Sequence, residues 1–498
     1  MISSQEYFNS MLPKEELERL PYLPTMGKFV DWFTKEYADM PALSDTVNTI
    51  TYKELGHRVA RRRAFIEGLG LPKGAHIGIF DRNSQDAIEL FLAVTSAGYV
   101  AMNFPAQLPE PAVIGSCMKF DIAALFVREE FMPLTAKLQG VKVLPAASIA
   151  DTEAPSADID PESTAAIFFT GGTTGTPKGA VLTHRALMRG NYNAIFKPGK
   201  VIGVHRYIAI LPLSHVFGLI AGTCGCFYTG NLLFTCEDMK ATIGKIPAIK
   251  PTLLVIVPGI CDILAGLCKM YGPQFLGSLK MIISGAANVP PRLVSIFSKM
   301  GVEFCFGYGL TETANLTSAN ANAVEKPTSI GRIYPGQETK IVDGELWVKG
   351  DNLFSGYYKD PVRTAEALTE DGWLRTGDLC RFDDEGFLYI TGRIKNLIIL
   401  ANGENVSPES LEEPFYADPC VRDAMVKEDE LNGQQVIAVE ILPFMPAFEG
   451  KPWEEVEAYM QALVKKINAT LPSTHQIIKV TVRTEDFKRT GSMKVARV

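Results

Sequence analysis

Residues 169–179 read Phe-Thr-Gly-Gly-Thr-Thr-Gly-Thr-Pro-Lys-Gly and combine three features that a polyphosphate needs. Gly171, Gly172 and Gly175 let the backbone turn sharply and aim its N–H groups at one point. Thr173, Thr174 and Thr176 add hydroxyl donors, and Lys178 adds a positive charge. The apolar run Ala165–Phe169 leads into the loop, so Lys178 is read at a strand-to-helix connection, where a plain surface loop is a poor account of it. Two commoner phosphate motifs do not fit. No glycine directly precedes Lys178, as a Walker loop requires. Gly68-Leu-Gly70 and Gly307-Tyr-Gly309 both lack the third glycine of a dinucleotide fingerprint.

The elements that must carry this loop are legible as rhythm. Thr51-Tyr-Lys-Glu54 has the spacing of a capping box, and Leu55, Val59 and Ile66 then share a helical face. Residues 76–80, 99–104, 165–169, 207–211, 252–257 and 280–284 are short apolar runs expected to be strands, and 87–97 is expected to be a helix. Such alternation predicts an α/β class of layered, largely parallel sheets. Past Glu312 the pattern turns β-rich: residues 339–348 form a hairpin about Asp343-Gly344, and 387–390 is another strand. A break near Arg393 introduces a small α+β domain. Its strands are expected at 397–400, 436–442 and 477–482, Ser407-Pro408 opens a helix, and Val456, Met460, Leu463, Ile467 and Leu471 make a helical stripe. The expected division is 1–394 and 395–498, a large N-terminal domain with a β-rich subdomain followed by a small mobile one.

Composition narrows the class. With 49 Lys and Arg against 56 Asp and Glu, the net charge of −7 argues against broad nucleic-acid binding while leaving room for a local anion site. The nine cysteines show no metal-like spacing, which suits buried free thiols in a reducing, cytoplasmic setting. The N-terminus has no signal-peptide pattern. Residues 216–234 carry no charge, but four glycines interrupt them and no basic cluster flanks them. They are read as a core helix and a strand rather than a membrane span.

The phosphate loop stands in order with Tyr308-Gly-Leu-Thr-Glu312, Thr376-Gly-Asp378, Gly392-Arg-Ile-Lys395, Gly403-Glu-Asn-Val-Ser-Pro408 and a lysine near the C-terminus. In this the chain resembles the adenylate-forming enzymes: acyl- and aryl-CoA synthetases, adenylation domains of peptide synthetases, and firefly-type luciferases. The resemblance implies that Thr170, Gly171, Gly172, Thr173, Thr174, Gly175 and Lys178 hold the phosphates of ATP, that Tyr308 packs on adenine beside Gly309, and that Asp378 accepts the ribose hydroxyls with Arg393 nearby. It implies that Thr311 contacts the α-phosphate and Glu312 holds Mg²⁺, a hard cation suited to carboxylate oxygen. Gly285, Ala286 and Ala287 would border nucleotide and acid. His215 would lie beside the carboxylate, in a pocket with Phe217, Gly285 and Gly307. Lys494 would stabilise charge developing at the carboxylate and α-phosphate, Lys395 would be a hinge, and Gly403 would let a pantetheine arm pass.

Three positions depart from the family pattern: Gly171 where serine is usual, Met493 where glycine is common, and Ala401-Asn402 in place of a lysine-bearing approach. The implied reaction is activation of a carboxylic acid by ATP to its acyl-adenylate, then transfer to the thiol of CoA. Residues 211–218 look more like acyl- or aryl-CoA ligases than amino-acid adenylation domains. Three alternatives stay open: a freestanding enzyme loading the phosphopantetheine of a separate carrier protein, a non-catalytic nucleotide-binding protein, and an oxygen-using activity.

Overall fold

A computed structural model of the chain describes residues 3–170, 178–321, 323–400, 404–431 and 434–488. The architecture is mixed α/β, with a large N-terminal domain and a smaller C-terminal one. A seven-stranded sheet runs 356–357, 178–183, 164–170, 100–103, 76–80, 122–127 and 142–145, and its last five strands are parallel. A five-stranded sheet runs 253–256, 281–284, 303–308, 318–320 and 332–333, parallel over its first three strands. A four-stranded sheet (49–51, 41–44, 232–234, 206–208) adds Leu43, Ile50, Leu233 and Tyr207 to the same core. The expected β-rich subdomain is an antiparallel sheet of 337–342, 345–350, 374–382 and 388–393. Its first hairpin turns at Asp343 and Gly344, both at positive φ, as a tight hairpin turn demands.

The smaller unit packs helices Pro408–Tyr416 and Trp453–Asn468 on the sheet 421–431, 434–443 and 477–482 around its own core of Val426, Val439, Ile441 and Met460. Ser407 caps the first of these helices by accepting from Ser410 N, with Pro408 in the first turn as expected. The helical stripe is correct from Val456 to Ile467, but the helix ends at Asn468. Leu471 lies beyond it, packed on the same core.

Three other expectations are corrected. The phosphate loop connects two antiparallel strands, with Thr170 opposite Lys178, and not a strand to a helix. Phe168 and Ala180 of these strands are buried, and Gly179 lies where a side chain would strike Phe120 and Ile167, so strand pairing resumes at Lys178. Thr51 does cap helix Tyr52–Glu67 by accepting from Glu54 N, but one carboxylate oxygen of Glu54 accepts from Arg58 at 2.9 Å, and the return half of the capping box does not form. Residues 216–234 contain the expected helix and strand, but Phe217–Cys224 winds as a π-helix. Gly218 allows this winding to approach the carbonyl of Pro212, which a Cβ would meet at 2.6 Å. Among the described residues no helix is long and apolar enough to cross a membrane. All nine cysteines are free, eight of them buried.

Helix Tyr52–Glu67 is held to helix Gln85–Ser96 by a buried ion pair, with Arg62 Nε 2.7 Å from Glu89. Both side chains are almost wholly shielded from water, so removing the guanidinium would strand the carboxylate. Arg62→Met is expected to lower the unfolding free energy by about 3–5 kcal/mol, read as a lowered urea midpoint at unchanged slope. A change within about 0.5 kcal/mol would show that Arg58, 3.5 Å from the same carboxylate, suffices.

Candidate active site

The site forms where parallel strands Met281–Ser284 and Glu303–Tyr308 end, the usual crevice of an open α/β sheet. At its centre is Asp378, 1% exposed. Tyr308 donates its hydroxyl to one carboxylate oxygen at 2.6 Å, and Arg393 Nε donates to the other at 2.5 Å. Thr376 fixes the turn: its hydroxyl accepts from Asp378 N at 3.1 Å and donates to Leu346 O at 2.7 Å. Burial, then the neighbouring carboxylate, keeps the Tyr308 phenol protonated far past its usual range.

Around this carboxylate the chain gathers cations. Lys395, in the short turn Ile394–Asn396, has its pKa lowered by burial and then by the charge of Arg393, and the charge of Lys178 bears on it as well. Lys178 Nζ stands 4.7 Å over the ring of Tyr357, whose hydroxyl donates to Glu312 at 2.6 Å. Glu312 is held on a tight turn. Thr313 accepts from Leu310 N at 2.9 Å, and Ala314 and Asn315 take positive φ. Gly309 is obligatory for that turn, since a Cβ would sit 1.4 Å from the carbonyl oxygen of Asn315. Among the described residues no three His, Cys, Asp or Glu side chains cluster as metal ligands, so a cation at Glu312 would have to draw its other ligands from a bound phosphate and water.

Next to Tyr308 a cavity opens into the large domain, lined by Phe217, Gly285, Ala286, Gly307 and Gly309. Gly285 keeps it open, because a Cβ there would crowd Phe217 at 3.3 Å. Ala286 turns the strand end at positive φ. The structure thus brings together Lys178, Tyr308, Glu312, Asp378, Arg393 and Lys395 on the polar side, and Phe217, Gly285 and Gly307 on the cavity side. Thr311 opens the turn of Glu312, and Thr170 faces Lys178 across the strand pair. His215 stands in the turn before the π-helix, and neither it nor Ala287 is among the cavity's lining residues. Gly171, Gly172, Thr173, Thr174, Gly175, Gly403 and Lys494 lie outside the described residues.

One lining residue escaped the sequence reading. Lys197 follows helix His184–Asn193 in a segment, Phe196-Lys-Pro-Gly-Lys200, that reads as a solvated turn. It is 3% exposed and donates to the carbonyl of Ala194. Burial pushes its pKa down to about 8.

The fold and the site belong together in comparisons with known proteins. Residues 30–358 match the profile of the AMP-binding enzyme family, and residues 395–498 match the AMP-binding enzyme C-terminal domain. The chain belongs to this family and is an AMP-forming ligase. It is 28% identical over 457 residues to 4-coumarate–CoA ligase-like 6 of Arabidopsis thaliana, covering 82% of this chain and 79% of that one. It is 35% identical over 308 residues to a long-chain-fatty-acid–CoA ligase of Bacillus subtilis, an alignment spanning 57% of this chain and about half (54%) of the relative. Among solved structures, ATP-bound MatB from Rhodopseudomonas palustris superposes with a TM-score of 0.80 at 23% identity, over 95% of this chain and 97% of that one. The anthranilate–CoA ligase AuaEII in complex with anthranoyl-AMP superposes with a TM-score of 0.81 at 20% identity, over 96% of each chain.

The Lys197 ammonium has a measurable cost. Its folded pKa lies below the ordinary 10.5, so the folded state disfavours the charged form. Below about pH 8 both states hold the proton and the penalty is full. Between about 8 and 10.5 the unfolded chain holds more protons, so stability recovers as pH rises. Lys197→Met is therefore expected to be more stable than the parent at pH 7 by about 2–3 kcal/mol, with the gap shrinking at pH 9.5 in paired urea titrations. A gap that is absent at pH 7, or that widens with pH, would show the ammonium to be well solvated.

Proposed function

We propose that this chain activates a carboxylic acid with ATP as the acyl-adenylate, releases pyrophosphate, and passes the acyl group to the thiol of CoA. The observation that carries the reading is the convergence of Arg393, buried Asp378 and Lys178 on Lys395, with Asp378 bonded to Tyr308, which lines a largely apolar cavity. A local cluster of cations in a chain of net charge −7 suits a polyanion, and a buried carboxylate suits a vicinal diol. The curated relatives named CoA ligases support the choice of thiol.

In the first half-reaction a carboxylate oxygen attacks the α-phosphorus. A P–O bond forms, the bond from that phosphorus to the bridging oxygen breaks, and pyrophosphate leaves with the electron pair. The protein's task is positioning and charge neutralisation. Asp378 and Tyr308 orient the nucleoside, Lys178 and the loop 170–175 hold the phosphates, Thr311 contacts the α-phosphate, and Lys494 stabilises the charge at the reacting oxygens. Magnesium, when bound, supplies further neutralisation of the triphosphate, and Glu312 is the residue that would hold it. In the second half-reaction the thiolate sulfur attacks the acyl carbon, and AMP leaves as the carbon–oxygen bond breaks. Residues 395–498 act as a domain that turns about Lys395, withdrawing Lys494 and presenting Gly403 to the pantetheine arm.

Pyrophosphate release with a panel of fatty, aryl and amino acids, with and without CoA, tests the whole reading. One acid class is expected to drive release that CoA stimulates, and Lys494→Ala is expected to lower the acid-dependent adenylation rate by roughly 100-fold or more in a folded protein. Release that ignores CoA would point to a carrier-protein thiol. No acid-dependent release from a folded, ATP-binding chain would overturn the proposal. Asp378→Asn is expected to raise the KM for ATP by about tenfold or more, as weakened acceptance of the ribose hydroxyls requires. An unchanged KM would remove Asp378 from the nucleotide site.

A further inference from the structure

Lys197 is a buried cation that lines the cavity without a counter-charge. Arg62 and Arg292 are comparably buried, and each meets a carboxylate: Glu89 for the first, and Asp262 at 2.6 Å for the second. Lys197 meets none among the described residues. Its ammonium donates to the Ala194 carbonyl, and the groups whose charge bears on it are the thiols of Cys226 and Cys305. His205 nearby does not compensate, because burial and then the charge of Lys197 push it down to about 4, leaving it neutral. A second donor points the same way. Asn315 Nδ2 is buried without a hydrogen-bond partner, in a residue that lines the same cavity. A buried charge and a buried amide left unpaired are both costly, and an acceptor entering the cavity relieves whichever of them it reaches. The remaining wall is mostly apolar, with Phe196, Phe217, Ala221 and Leu316.

The position of the charge along the cavity says which part of a ligand it would meet. Strand Glu303–Tyr308 forms one side. Tyr308 reaches Asp378 at the nucleotide end, and Phe217, which opens the π-helix, stands against Gly285 there; the Lys197 ammonium instead donates to Ala194, which packs on Gly225 just past the other end of that helix. Lys197 thus lies toward the inner end, away from the site of adenylation.

We propose that Lys197 determines acid specificity, and that the acid this chain activates carries a second carboxylate on the end remote from the one that reacts. The inference rests on the acid-activating reading above. An acid with a hydrocarbon end would press methylenes against the unpaired ammonium and seal it from water, whereas a second carboxylate gives it a hydrogen-bonded counter-ion. Discrimination then comes as much from the penalty on the wrong acid as from attraction to the right one.

The test uses matched pairs on the full chain: suberate against octanoate, and 4-carboxycinnamate against cinnamate. Binding is measured calorimetrically in the presence of AMP, and adenylation separately by ATP–pyrophosphate exchange. The parent chain is expected to bind the diacid of at least one pair roughly 30-fold or more tighter than its monoacid. Lys197→Met is expected to abolish or reverse that preference, and Lys197→Arg to retain part of it. In exchange the loss should appear in KM for the diacid, with kcat for the monoacid unchanged or raised. Equal or tighter binding of both monoacids by the parent, unmoved by Lys197→Met, would overturn the proposal. The binding arm separates the two readings: diacid preference in binding without exchange for any acid would sink acid activation and leave the assignment of Lys197 standing. Exchange with monoacids that ignores the substitution would do the reverse. Should Lys197→Met fail to fold, Lys197→Gln carries the same expectation.

Discussion

The carboxylate of Asp378 is the group to which the rest of the site answers. A charge that is 99% shielded from water must be paired on all sides, and its partners come from separate elements. Tyr308 is the last residue of a central parallel strand, and Arg393 is the last residue of the antiparallel sheet. Pairing both to one carboxylate fixes how the five-stranded sheet meets the antiparallel one, and so fixes the mouth of the cavity. The same constraint reaches the small domain. Lys395 lies two residues past Arg393, Asn396 donates to Glu409 at 2.6 Å, and Gly392 leaves room for Ser407, which a Cβ would meet at 2.3 Å. The segment joining the two bodies is therefore anchored beside Asp378, where a hinge for the proposed rotation would need to be.

Close backbone approach is the second constraint, and it explains glycines whose motif positions alone say little. Gly309 stands against the Asn315 carbonyl and Gly307 against that of Ser318, which a Cβ would meet at 1.4 and 2.4 Å. Gly331, at positive φ, stands against Ala319. These contacts fold the chain after Tyr308 back on the strand, so that Glu312 returns to face Tyr357 and Lys178 while Asn315 turns into the cavity. Polar and apolar halves of the site are thus two sides of one seven-residue turn.

What the sequence carried and what it did not follow the range of the forces involved. Local signals gave local structure. The caps at Thr51 and Ser407, the Asp343-Gly344 turn, and the apolar runs at 76–80 and 281–284 are all set by neighbours a few residues away. The ordered motifs placed Tyr308, Glu312, Asp378 and Arg393 on one reading, and the fold gathers them. Apart from the return bond at Thr51, which Glu54 forgoes for Arg58 four residues on, the failures are tertiary. A glycine-rich loop between strands looks the same whether the second strand is antiparallel or the chain continues into a helix, and the pairing of 164–170 with 178–183 depends on burial of Phe168 and Ala180. The π-helix at 217–224 follows from how Gly218 seats on Pro212 and Gly225 on Ala194. Leu471 keeps the helical spacing after the helix has ended, because the same core accepts it from a turn.

Lys197 is the extreme case. Written between Phe196 and Pro198 near a second lysine, it has every local mark of a solvated turn, and nothing in its neighbours signals that the turn is folded inward. The other buried cations are better met: Arg62 and Arg292 pair with carboxylates, Arg63 donates to three oxygen acceptors, and Arg332 donates to Glu385 O and stacks on Tyr7 and Phe387, whereas Lys197 has one carbonyl among the described residues. A methionine would fill the same space without the desolvation of a charge, and the site's stability would rise. A position that holds a charged side chain where an apolar one fits better trades stability for something the empty fold does not use. The cavity it lines supplies the use. Tyr308 and Asp378 define one end of that space by pairing with each other and with Arg393, whereas Lys197 lines it with no carboxylate partner among the described residues and leaves its charge to whatever enters.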